Sequence, residues 1–127
     1  MIPKAELHVH LEGSIQIPLA HELARRNNID LPDGLFTADG FYAMHDFASF
    51  LAAYDRVCTT LRTARDFGDV MYSYLAAAAR EGAVYVEMFC CPERPWGLGI
   101  TYGAWLESLE QAIDRARAEF GIEGRII

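Results

Sequence analysis

The chain has 127 residues, 52% of them hydrophobic, and a formal net charge of −7. That composition excludes a disordered chain, and the acidic balance excludes nucleic acid as the main partner, because phosphate binding needs a basic surface. The longest apolar runs, near 75–79 and 83–91, fall far short of the roughly 20 residues that span a bilayer, and the opening MIPKAELHVH lacks the basic-then-apolar pattern of a signal peptide.

Residues 4–10, KAELHVH, carry a strand's period of two. The alternation puts Ala5, Leu7 and Val9 on one face and Glu6, His8 and His10 on the other. After GSIQI, Pro18 suits the first position of a helix that runs to about Asn28. The stretch DLPDGLFTADG is rich in turn residues and reads as a loop. Asp46 is a candidate cap for a helix in which Phe47, Phe50, Leu51, Tyr54, Val57, Cys58 and Leu61 recur at steps of three and four. Asp66 is expected to open the next helix, with Phe67, Val70, Met71, Tyr74, Leu75 and Ala78 inside and Gly82 stopping it.

AVYVEMFCC, residues 83–91, is apolar on both parities apart from Glu87, as in a strand buried on both faces of a parallel sheet. PERPWGLGI reads as a loop with Glu93 solvated, Tyr102–Phe120 as a helix, and EGRII as the start of a third strand. This alternation is that of an α/β fold. A sheet stopping at EGRII would leave an unpaired edge, so residues 1–127 are expected to be one incomplete domain, the front part of a longer protein. The three cysteines, Cys58, Cys90 and Cys91, lack a CxxC spacing and form no disulfide framework. They read as buried thiols in a reducing, cytoplasmic setting.

The chemistry concentrates in the segment PKAELHVHLEGSI. Residues two apart on a strand point the same way, with α-carbons about 6.6–7 Å apart, so two imidazoles there can lean onto one ion at about 2.0–2.1 Å. A catalytic zinc site commonly has three protein ligands and a position for water, so the pair is not a complete site. A His-X-His pair alone occurs more often as ordinary surface or core residues. Its place toward a strand's carboxyl end, where α/β active sites form, followed by Glu12 and Gly13, brings the metal reading level with the structural one. His21 and His45 read as surface and loop residues, and Glu87 as an ion-pair partner.

The same segment resembles the opening signature of the adenosine and adenine deaminases of the amidohydrolase superfamily. DFASFLAAYDRVCTTLRTARDFGDVMYSYL, EGAVYVEMFCCPE and FGIEGRII resemble that family's later segments, in order. The resemblance implies the N-terminal part of a (β/α)8 TIM barrel, about three strands with intervening helices, and one Zn2+ per complete site. It makes His8 and His10 metal ligands, His10 and Glu12 substrate-binding residues, and Phe47, Phe50 and Tyr54 part of an apolar lid; taken by itself, that stripe reads more readily as core.

The implied activity is hydrolytic deamination of adenosine to inosine and ammonia, in purine salvage. One alternative is deamination of adenine to hypoxanthine, because glutamate in place of the ribose-holding aspartate is common in the adenine branch. The other is a non-catalytic remnant that serves as a binding module. The acid glutamate and positioning histidine of the family are expected beyond residue 127, with no catalytic residue inside the chain, so these residues alone are expected to be inactive. The implied partner is a small purine, with neither nucleic acid nor membrane.

Overall fold

The computed structural model describes residues 2–127. The elements are β1 (Lys4–His10), a 3-10 turn at Leu11–Ser14, α1 (Ile17–Asn27), α2 (Phe47–Cys58), α3 (Ala64–Arg80), β2 (Ala83–Phe89), α4 (Glu93–Gly97), α5 (Tyr102–Phe120) and β3 (Glu123–Ile126). The strands form one parallel sheet in the order β1-β2-β3, so each strand pairs with the next across a helical connection, as the alternating pattern requires.

The helices begin where the sequence supplies caps. Asp46 accepts from the Ser49 N–H at the start of α2. The opening of α3 lies two residues earlier than expected: Thr63 is the cap, and Asp66 is the third helical residue of a reciprocal capping box. Gly121, at φ 69°, ends α5 in the left-handed region that glycine enters freely. The five-residue α4 occupies part of the stretch read as a loop, and its prolines Pro92 and Pro95 disguise it. Glu93 is exposed there, as expected.

The core lies between one face of the sheet and the helices α3 and α5. Val86 and Met88 of β2 are completely buried, as are Phe67, Met71 and Leu75 of α3 and Leu109 of α5, with Trp105 and Ile113 of α5 nearly so. Glycine at 124 lets β3 approach, since a β-carbon there would sit 3.1 Å from Leu75 and 3.2 Å from Ile113. β2 is buried on this face alone: Tyr85, Glu87 and Phe89 on the other side remain partly open, because helices cover only one side of the sheet. Glu87 accepts a hydrogen bond from Tyr85 on that open side rather than forming an ion pair.

α1 is tied to α3 by a polar cluster around Asp66, whose side chain is fully buried. Asp66 accepts from Arg26, Asn27 and the backbone N–H groups of Arg62 and Thr63, at 2.8–2.9 Å. Burial alone would raise its pKa, but these donors outweigh burial and lower it.

Two expectations about burial change. α2 does not bury the Phe47–Phe50–Tyr54 stripe: its buried residues are Ala53, Val57 and Cys58, while Phe47 is 73% and Phe50 42% exposed. The small side chains of the opposite stripe allow close approach to the body of the protein, and the large rings stay outside. Of the thiols only Cys58 is buried; Cys90 is half-buried and Cys91 exposed, because β2 ends at Phe89 and the chain leaves the sheet.

Candidate metal centre and its cleft

His8 and His10 stand at the carboxyl end of β1 with ring centres 5.2 Å apart. Both face Phe89, at the same end of β2, with ring centres 4.1 Å and 5.3 Å away. His10 pairs directly opposite Phe89 in the sheet. The two imidazoles therefore share the open face, as the strand period requires. Glu6 borders the same cleft, where its carboxylate accepts a hydrogen bond from Tyr74 of α3; the pairing with β2 slips by one residue at Ala5–Glu6, opposite Tyr85 and Val86, and is restored by Val9.

The histidines border a cleft of about 550 Å³ whose walls include Gly13, Phe50, Tyr54 and Tyr74. Phe47, Phe50 and Tyr54 run as a ladder of rings at 6.1 Å and 6.3 Å. Gly13 brings the backbone beneath Tyr54, whose ring would lie 3.6 Å from an added β-carbon. Thus the three residues of the expected lid sit together, with Phe50 and Tyr54 at the cleft that holds the imidazoles.

Glu12 takes a different direction. It is 2% exposed, and its Oε1 has no hydrogen-bond partner among the described residues. It lines a neighbouring cavity of about 480 Å³ with Tyr54, Cys58, Arg62, Cys91 and Arg94. Burial raises its pKa, against the opposing pull of backbone N–H groups, Arg94 and His10. Burial likewise pushes the Cys58 thiol and the Tyr54 hydroxyl up to about 12, so both are neutral near pH 7.

The imidazole pair fits part of a metal site. Two rings sharing one tetrahedral ion at 2.0–2.1 Å have centres roughly 5 Å apart, which the observed spacing matches. The set is partial: among the described residues, no three or more His, Cys, Asp or Glu gather around one point. His21 packs at a tilt against Phe36 and His45 lies in the exposed approach to α2, and neither lines the cleft of the pair. Sequence reading passed over Phe89, Tyr74 and Arg94. Phe89 was accessible by counting in twos from Glu87 along β2; Tyr74 and Arg94 reach the region through packing alone.

The architecture is that of the N-terminal part of a TIM-barrel deaminase. The structure aligns with an adenine deaminase from Arthrobacter aurescens at TM-score 0.80 and 30% identity, over 99% of this chain and 39% of that one. It also aligns with an amidohydrolase with bound Zn from Burkholderia ambifaria at TM-score 0.75 and 23% identity, over 99% of this chain and 35% of that one.

Residues 3–127 match the family model described as adenosine deaminase, and the chain belongs to that family. Among curated relatives, the adenine deaminase of Streptomyces coelicolor is 39% identical across 99% of this chain and 37% of its own length. That of Mesorhizobium japonicum is 38% identical across 98% and 38%. The chain thus spans well under half the length of the curated relatives it matches. Among the described residues, no helix is long and apolar enough to cross a membrane.

Proposed function

We propose that this chain supplies the first two metal ligands and one wall of the substrate cleft of a zinc-dependent purine deaminase, with adenine converted to hypoxanthine and ammonia. The supporting observation is the side-by-side presentation of His8 and His10 against Phe89 at the carboxyl ends of adjacent strands. Adenine, rather than the adenosine expected first, is favoured because the similar curated proteins and the Arthrobacter neighbour are named adenine deaminases. Zinc is favoured by the two-imidazole donor set and by the metal in the Burkholderia neighbour.

His8 and His10 would hold the metal, which when bound supplies a water activated for attack near neutral pH. Phe89 backs both rings and limits their rotation. Phe50 and Tyr54 offer apolar surface to a flat base and keep water from the cleft, and the neutral Tyr54 hydroxyl brings no charge to it. His10 is placed to touch the base. Glu12 lines the neighbouring cavity, which shares Tyr54 with the cleft and also holds Arg94, and we assign it to the substrate's far side. No residue of this chain is assigned to protonate the purine ring. We place the reaction in the cytoplasm, which the free thiols support, with a small purine as partner, which the net charge of −7 supports against nucleic acid.

The test is ammonia release by the zinc-loaded protein, as its gene encodes it, from adenine and adenosine side by side. We expect kcat/KM to favour adenine by on the order of 10²-fold or more, and His8→Ala to abolish both turnover and bound zinc. A preference for adenosine would overturn the substrate assignment. Zinc binding with no turnover of either would favour the binding-module reading, and residues 1–127 assayed alone are expected to show none.

A further inference from the structure

α4 and the start of α5 enclose a pocket of about 680 Å³ that shares no lining residue with the imidazole cleft. The local chain builds it. Pro95 is buried and seats α4, and its carbonyl accepts from the Ile100 N–H at 3.0 Å. Gly99, at φ 76°, lets the chain fold back in this way, since that backbone region suits glycine. Thr101 then caps α5 by accepting from the Ala104 N–H. Trp96 of α4 and Tyr102 of α5 thus line one pocket, together with Trp105 a turn further along α5.

Single apolar residues on a surface need no explanation, but here three large rings converge. Trp96 is 79% and Tyr102 63% exposed, whereas Trp105 is nearly buried. The rings of Tyr102 and Trp105 are 5.6 Å apart and tilted by 53°, so their faces form two adjacent walls rather than a stack. The Trp105 Nε1 has no hydrogen-bond partner among the described residues, a demand that packing alone usually meets.

The electrostatics of the pocket have one sign. Aromatic faces are electron-rich and attract cations. Glu93, which is exposed, adds a carboxylate to the lining, and among the described residues no Lys, Arg or His lines the pocket. The neighbouring cavity of Glu12 differs, since Arg62 and Arg94 line it. A primary ammonium needs hydrogen-bond acceptors for its three donors, which this mainly apolar lining does not supply. A quaternary ammonium has no donors and presents methyl groups, which suit aromatic walls.

We propose that this pocket binds a quaternary ammonium group, held against Trp96, Tyr102 and Trp105 with Glu93 as its counter-ion. The net charge of −7 favours the approach of such a cation. The inference is independent of the metal-centre reading.

The test titrates choline into the protein, as its gene encodes it, by calorimetry. The comparison ligand is choline's neutral isostere, in which carbon replaces the ammonium nitrogen. Choline should bind saturably and the isostere at least about 10-fold more weakly. Trp96→Ala should weaken choline binding about 10-fold, with Trp96→Phe in between, because tryptophan is the better cation acceptor. Glu93→Gln should weaken it about 2- to 5-fold, as an exposed counter-ion does. His8→Ala should bind choline as the parent does. A peptide bearing trimethyllysine identifies the source of the group: tighter binding than choline assigns it to a protein side chain, and weaker binding to a free ion.

No saturable binding of either choline or the peptide, equal affinity for the neutral isostere, or undiminished binding in Trp96→Ala would overturn the inference. Should Trp96→Ala fail to fold, the isostere and Glu93→Gln decide. A protein that lacked zinc or deaminase activity but bound choline would overturn the metal-centre reading and leave this pocket standing.

Discussion

Asp66 and Glu12 are both acids withdrawn almost completely from water, and their surroundings differ in every other respect. Asp66 receives four hydrogen bonds, one of them from a guanidinium, and its pKa is lowered. Glu12 keeps one oxygen without a partner, and its pKa is raised by burial. A buried charge that is fully satisfied holds structure together, whereas one left unsatisfied costs stability and marks a place where another requirement prevailed. The first joins α1 to α3. The second lies beside the imidazole pair, at the carboxyl ends of the strands.

The largest effect should come from breaking the satisfied site. Asp66→Ala leaves Arg26 and Asn27 without their acceptor and should cost about 3–5 kcal/mol in urea unfolding at pH 7. Its pH signature follows from the direction of the shift. The folded pKa lies below the unfolded value of about 3.9, so Asp66's contribution is complete above that value and is lost as pH falls through the folded one. The gap in stability between the parent and Asp66→Asn should therefore narrow below about pH 4. A gap that widened there would mean that Asp66 is not held ionised by its donors.

A smaller effect extends the contrast to backbone packing. Gly68 of α3 meets α5 so closely that an added β-carbon would lie 2.4 Å from the Ser108 Oγ and 2.8 Å from its carbonyl oxygen. The hydroxyl can rotate away, but the carbonyl belongs to a helix. Gly68→Ala should cost about 1–3 kcal/mol as overpacking. Gly13, at the cleft, would place its β-carbon at an ordinary 3.6 Å from Tyr54, so Gly13→Ala should stay within about 0.5 kcal/mol. Equal losses at the two glycines would erase the distinction between the packed side and the cleft side.

How much of this was legible in the sequence divides along the same line. The period of two along KAELHVH placed His8 and His10 on one face, because that rule is local to the strand. It put Glu6 beside them, and Glu6 does line their cleft, but its hydrogen bond from Tyr74 was out of reach because a strand period says nothing of what packs against the strand. Steps of three and four identified α2 but left its buried side open, because two apolar stripes compete and the one with smaller residues packs inward. The T-x-x-D spacing from Thr63 to Asp66 was in plain view as a capping pattern; reading Asp66 as the opening residue shifted the helix start. Glu12 was recognised as chemically important from its place after the histidines, but the cavity it shares with Arg94 depends on a segment after β2 that no local pattern specifies.

The expected effect at Glu12 is also small, and it is the sharpest test of the comparison. Glu12→Gln removes a charge while keeping the shape of the side chain. Glu12 has a folded pKa above its unfolded value of about 4.3, so its favourable contribution is present below that value and is lost as pH rises through the folded one. The glutamine variant does not titrate at this position. Relative to the parent, metal-free Glu12→Gln should therefore gain stability between pH 4 and pH 7, and at pH 7 the two should differ by no more than about 1 kcal/mol. Arg94 and His10 face the carboxylate and pull in the opposite direction, so the gain depends on burial outweighing them. If Glu12→Gln instead cost as much at pH 7 as Asp66→Asn, the unpartnered oxygen would be supporting the fold, and the buried acid beside the imidazoles could no longer be assigned to the site.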